Sequence, residues 1–397
     1  MKPFTKKLVL ENGREFLGYG YGANVERVCD IVFNTSVVGY QEILSDPSCV
    51  DQIIVMAYPL IGNYGITDED FESKTPQMGG MVVRECNENP SNFRYTKTFS
   101  ETLEEAGIPC VAGVDTRMIV RIIRDEGSQR AAIVNIDTTT EQALEMIKNA
   151  PQPKNQVAKV SSRKRWFSRT PNHKYDIVAV DCGIKHSIIE QFTSRGCNVT
   201  VVPFDTNLEE IMAFNPDGIF ISNGPGNPEE LTQVVELIKA VDGKIPMFGI
   251  ALGMQLISLA YGAKVFKMKC GHHGCPAVRT IESGRIDMTS QSHDYAVDAA
   301  SLAGTRLSIT HENVLDGTIE GVECAEDKMY ALQFYPESAP GPQDCVYLFD
   351  KFIKLMEEKE NAKKNRYKES NGDRLRSDCH WSGRRVRLCR YTGVLGS

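Results

Sequence analysis

Over the first 150 residues, short apolar runs alternate with turn-forming residues. "KLVLENG", "CDIVFNTS", "QIIVMAYP" and "GGMVVREC" read as β-strands bounded by Gly, Asn and Pro. "SETLEEAGI" and "DTRMIVRIIRDEG" place apolar residues at i, i+3 and i+4, the spacing of helices with one buried face. Together these patterns predict a self-contained α+β domain over residues 1–150. Residues 151–174 are polar, basic and Pro-containing, which predicts a linker running over the surface. From Tyr175 the pattern changes. "YDIVAVDCG", "NVTVVPF", "PDGIFISNGPG" and "IPMFGIALG" are continuous apolar runs, and helical segments such as "KHSIIEQFTSRG" and "PEELTQVVELIKAV" separate them. Strands that are apolar on both faces, alternating with helices, predict a doubly wound parallel α/β domain over residues 175–357. Residues 358–397 follow as a tail.

Ligands of such sheets bind beyond the carboxyl ends of the strands. "SNGPG" (222–226) and "GIALG" (249–253) both fall there and are expected to line one crevice. The second is a strand, a tight turn at Ala251 and a helix. This geometry presents a nucleophile in many α/β folds, yet Ala251 offers only a methyl group. Farther on, "SQSHDYAVD" carries His293 and "ALQFYPESAPGPQD" carries Glu337. Each segment alone is a weak signal; together, in this order, they are specific.

These segments resemble the small subunit of glutamine-dependent carbamoyl-phosphate synthetase, over residues 1 to about 357. "VFNTSVVGYQEILSDPS" and "YPLIGNYG" are similar to its N-terminal domain. "FISNGPGNP", "FGIALGMQ", "KMKCGHHG" and "YPESAPGP" are similar to its class I glutamine amidotransferase domain. The resemblance implies a Cys–His–Glu glutaminase whose ammonia passes to a large subunit that uses ATP. In that scheme the thiolate attacks the glutamine amide, histidine shuttles the proton and glutamate orients the histidine. Carried over by position, the nucleophile falls on Ala251, the base on Tyr335 and the orienting acid on Glu337. A phenol near pKa 10 is a poor substitute for an imidazole near 6.5. The resemblance therefore implies a pocket without its chemistry. Ser48, Gly224, Gly226, Leu252 and Gln255 match positions that contact glutamine in the family. Ser292 and Asp294, followed by Tyr295, stand where the family usually has asparagine and glycine near the substrate. An inward Asp294 carboxylate would repel the α-carboxylate of glutamine. Met254 stands where the family often has histidine. Cys270 and Ser258 are the nearest replacement nucleophiles in sequence, but neither lies on the turn.

Bulk properties narrow the remaining choices. The chain has 397 residues, 41% hydrophobic and 24% charged, with a net charge of −7. An acidic protein is a poor nucleic-acid partner, so the basic run "SSRKRWFSR" reads as a solvated segment. No apolar run approaches the roughly 20 residues that span a bilayer, and the N-terminus lacks a secretory h-region. The 12 cysteines show no framework spacing, so a reducing, cytoplasmic setting is expected. "CGHHGC" (270–275) is dense in soft ligands, but all come from one segment, so it reads as a structural loop and no metal site is assigned. His293 reads as a packing or hydrogen-bonding residue. No cofactor is expected in this chain; ATP and Mg²⁺ belong to the large subunit. Three functions stay open: a small subunit whose glutaminase is lost, a working glutaminase with another nucleophile, and a glutamine sensor that does not hydrolyse its ligand.

Residues 361–397 are arginine-rich and aperiodic, which predicts disorder. Permitted codons for this stretch, read one base further on, spell a segment resembling the start of the large subunit, with the start methionine inside the codon for Asn361. The expectation is an out-of-frame reading of an adjacent large-subunit gene, with no role for Cys379 or Cys389.

Overall fold

The chain was analysed as a computed structural model that describes residues 3–358. The expectations for residues 361–397 lie outside the described residues. Among the described residues, no helix is long and apolar enough to cross a membrane.

The first domain is built on a closed barrel. Its strands run in the order Lys6–Leu10, Glu15–Gly22, Pro109–Ala112, Gly80–Val83, Gln52–Met56, Arg27–Asn34 and Gln129–Asn135, and the last pairs back to the first. Closure leaves no strand edge unpaired. Three of the pairings are parallel, joining Arg27–Asn34, Gln52–Met56, Gly80–Val83 and Pro109–Ala112 in turn. The predicted helices pack outside it. Phe99–Glu105 begins with a capping box between Thr98 and Glu101. Thr116–Glu126 buries Ile119, Ile122 and Ile123. The apolar runs gave α and β elements; barrel closure depends on pairings between strands far apart in the chain.

The second domain holds a ten-stranded sheet. Its centre is parallel, in the order Cys197–Pro203, Tyr175–Asp181, Gly218–Ile221, Met247–Ile250 and Met329–Leu332. Side chains alternate across the sheet. Val178, Val180, Ile219 and Ile221 join one core; Ile177, Ala179, Phe220, Phe248 and Ile250 join the other. Both faces are buried, as the continuous apolar runs required. Helix His186–Ser194 and the helical residues 348–358 cover the second face. There Phe192 meets Phe220, Phe248, Phe349 and Phe352, mostly edge to face.

The segment 151–174 differs from the expected linker. Gln156–Val160 is a short helix whose Val157 is buried in the sheet core. Trp166–Ser168 is an edge strand, antiparallel to Cys197–Pro203. An edge position leaves one side of the strand facing solvent, and Trp166 and Phe167 are partly exposed there.

Candidate active site

Strand Met247–Ile250 ends at Ala251, and helix Leu252–Ala260 begins directly after it. Ala251 has φ 51° and ψ −108°, a conformation that costs an L-residue on the order of 1–3 kcal/mol. Its amide donates to the carbonyl of Leu332 at 2.8 Å. Close packing holds the turn. A Cβ on Gly253 would lie 2.2 Å from the carbonyl oxygen of Ile221, and one on Gly224 would lie 2.1 Å from that of Cys182. The strained elbow is thus fully formed, with a buried methyl where a reactive atom would stand.

Ala251 opens onto a cavity of about 160 Å³ between the two domains. Ser48, Gly224, Gly226, Leu252, Gln255, Ser292, Asp294 and Tyr295 all line it, as does His293. Sequence reasoning missed Asp30, Asp51, Gln52, Gln156, Glu230, Lys267 and His273, which complete its walls. Several of these reach the cavity only because the domains close on each other, which leaves no local motif; Gln156 lies in the segment expected to be a linker. Gln255 donates to the carbonyl of Tyr295 at 2.9 Å, tying the helix to the far wall.

Asp294 does face the cavity, but its charge is engaged. One oxygen lies 3.1 Å from His273 Nε2, and the other accepts from Gln52 Nε2 at 2.8 Å. Burial would raise its pKa, but His273 outweighs that and holds the carboxyl below its ordinary value.

The other two positions of the expected triad do not line this cavity. Tyr335 lies behind Ser48, buried, with the two hydroxyls 2.8 Å apart. Asn223 Nδ2 donates to the same Ser48 Oγ at 3.1 Å. Burial pushes the Tyr335 phenol well above its usual range, so it stays neutral and takes no proton. Glu337 is fully buried and accepts from Lys185 Nζ at 2.9 Å. Burial would lower the pKa of Lys185; Glu337, Glu72 and Asp46 outweigh it and keep the ammonium charged. The second oxygen of Glu337 is buried with no hydrogen-bond partner. A buried, unpartnered carboxylate oxygen is costly.

The replacement nucleophiles fail on position. Ser258 and Cys270 do not line the cavity, and Ser258 Oγ is buried without a partner; Met254, where the family often has histidine, does not line it either. Cys49 lies beside Tyr335, but burial pushes its thiol well up, away from a reactive thiolate. Among the described residues, the hydroxyls in the cavity wall belong to Ser48, Ser292 and Tyr295, and no thiol lines it.

A strained strand–turn–helix elbow, an NGPG loop and a YPE segment behind them define a glutamine amidotransferase domain of class I. Residues 178–355 match the family described as glutamine amidotransferase class-I, and residues 8–133 match the carbamoyl-phosphate synthase small chain, CPSase domain. The carbamoyl phosphate synthase small chain of Staphylococcus epidermidis is 46% identical over 352 residues, covering 88% of this chain and 96% of that one. That of Fusobacterium nucleatum is 46% identical over 355 residues, covering 89% and 99%. The carbamoyl phosphate synthase pyrimidine-specific small chain of Halalkalibacterium halodurans is 44% identical over 353 residues, covering 89% and 97%. This chain belongs to the carbamoyl-phosphate synthase small-chain family.

Proposed function

We propose that this chain acts as the small subunit of a carbamoyl-phosphate synthase whose own glutaminase reaction is lost. It partners a large subunit that takes ammonia from solution and uses ATP with Mg²⁺. The carrying observation is Ala251 on a fully formed, strained elbow. Without a lone pair at that atom no acyl-enzyme forms. Neutral, buried Tyr335 supports the same reading, because it supplies no base. The product would serve pyrimidine or arginine biosynthesis; the name of the Halalkalibacterium halodurans relative favours pyrimidines.

The test is carbamoyl-phosphate formation by this chain mixed with its large subunit, with glutamine or ammonia as nitrogen donor. Activity with ammonia and none with glutamine is expected. Glutamine-dependent turnover, free of contaminating glutaminase, would overturn the reading. A second reading, a site that binds glutamine without hydrolysing it, is favoured by the convergence of Ser48, Gly224, Gly226, Leu252 and Gln255 on one cavity. Calorimetric titration with glutamine separates it: heat of binding without ammonia release supports a sensor.

A further inference from the structure

His272 and His293 stand directly opposite each other on the antiparallel strands Val265–Gly274 and Gln291–Val297. Their rings lie 5.1 Å apart, edge to face. Glu320, on strand Ile319–Cys324 of the main sheet, is fully buried beside them. One ligand atom from each of the three lies within 4.8 Å of the others, and His272 Nδ1 is 3.4 Å from Glu320 Oε1. Donors on a tetrahedral zinc ion, with bonds of about 2.0–2.1 Å, stand about 3.4 Å apart. One pair therefore already has the required spacing, and the three residues come from three strands. This is the arrangement that the "CGHHGC" segment lacks when read alone.

Two ring nitrogens in the cluster face acceptors. His293 Nδ1 lies 2.9 Å from the carbonyl of Tyr295, which only an N–H can satisfy. Its Nε2 then presents a lone pair, yet it faces Gln291 Oε1 at 3.1 Å. Turning the Gln291 amide over does not resolve this, because its nitrogen donates to Glu320 Oε2 at 3.0 Å. The turned amide would set its carbonyl against Glu320 Oε2 and would lose the donation to Thr289 Oγ1 at 3.2 Å. His272 repeats the pattern. Its Nε2 lies 2.9 Å from Asp316, which leaves the Nδ1 lone pair facing Glu320. Asn313 Nδ2 reaches His272 Nδ1 and Glu320 Oε1 only at 3.5 Å. A proton on His272 would relieve that ring but not His293. A divalent metal would take both ring lone pairs at once, beside a carboxylate that already accepts from Thr318 Oγ1 at 3.2 Å and from Gln291. The outer partners are those of a metal-binding histidine, whose second nitrogen is held by a carboxylate or a backbone carbonyl.

We propose that His272, His293 and Glu320 form a zinc-type divalent metal site with Asp316 and the Tyr295 carbonyl as its outer partners. Three protein ligands leave one coordination position for water. The site stiffens the wall of the inter-domain cavity, since His293 lies in it between Ser292 and Asp294.

The test uses the full chain with Zn²⁺ as probe, by equilibrium dialysis and metal analysis. One zinc per chain is expected. Glu320→Gln and His272→Asn are expected to abolish it, and Asp316→Asn to weaken it by about 10–100-fold. Cys270→Ser and Cys275→Ser are expected to leave it intact. X-ray absorption of the zinc-loaded chain should show two imidazoles and no sulfur. If Glu320→Gln or His272→Asn fails to fold, the half-exposed Asp316→Asn variant and the absorption spectrum still decide. Absence of stoichiometric zinc at micromolar free metal, a sulfur ligand, or affinity unchanged in Asp316→Asn would overturn the proposal.

Discussion

At position 335 the phenol satisfies Ser48 but leaves Glu337 with a buried oxygen that has no partner. With a neutral phenol at this position, restoring the nucleophile alone is not expected to be enough. Ala251→Cys would place a thiol at a helix N-terminus, where its pKa falls and alkylation becomes easy. Without a base, ammonia release from glutamine should still stay at background. Adding Tyr335→His puts an imidazole back at the base position and should raise release by about 10²–10⁴-fold over Ala251→Cys alone. A coupled ammonia assay on the two variants checks this; equal rates would mean that Glu337 no longer orients a base. His311 gives a prediction of another kind. It is buried against Phe334, and burial, with Lys351 nearby, lowers its pKa from 6.5 to about 4. The unfolded chain therefore takes up this proton first. Its stabilising contribution is complete above about pH 6.5 and is lost as the pH falls toward 4, by up to about 3 kcal/mol. His311→Gln should flatten the decline between pH 7 and pH 4 in urea denaturation. The alanine at 251 and the tyrosine at 335 were legible in the sequence as departures because each occupies a fixed place in a linear motif. The burial of Glu337 against Lys185 was not, because Lys185 lies far away in the chain.

The strand–turn–helix element was legible down to its turn, because an apolar strand, small residues and a helical pattern follow one another without a gap. What the pattern could not supply was the tightness of its packing. Gly253 sits against the backbone of strand Gly218–Ile221, and a Cβ there would approach the Ile221 carbonyl to 2.2 Å. The strand side of this contact is fixed by its parallel pairing with Met247–Ile250. Gly253→Ala should therefore cost more than the ~1–3 kcal/mol typical of overpacking, although alanine is the better helix former. Denaturant unfolding checks the direction; a neutral or stabilising effect would show that the helix can shift. The edge strand Trp166–Ser168 escaped prediction for the opposite reason. An edge strand of three residues with one wet side has too little apolar periodicity to distinguish it from a loop.

Across the whole molecule, the cavity exists because two separately folded cores are locked together by polar contacts. Gln52 reaches Asp294, Ser48 reaches Asn223 and Tyr335, and Gln156 donates to the carbonyl of Val50. The most directional contact is Glu72. From the first domain it accepts from the amide and hydroxyl of Ser187 at 3.1 and 2.8 Å, and its carbonyl accepts from the amide of His186 at 3.0 Å. Helix His186–Ser194 has no side-chain cap of its own. Two of its N-terminal amides are therefore satisfied by Glu72 of the other domain, that of Ser187 by the carboxylate, which also suits the helix dipole, and that of His186 by the backbone carbonyl. Such a cap couples the stability of one domain to the folding of the other. Glu72→Ala should cost about 0.5–2 kcal/mol, and the cost should fall on the coupling as well as on the helix. Calorimetry of the intact chain should show one unfolding transition that broadens or splits in the variant. A single transition of unchanged width, only shifted down in temperature, would mean that the remaining inter-domain contacts carry the coupling and that Glu72 acts as a local cap.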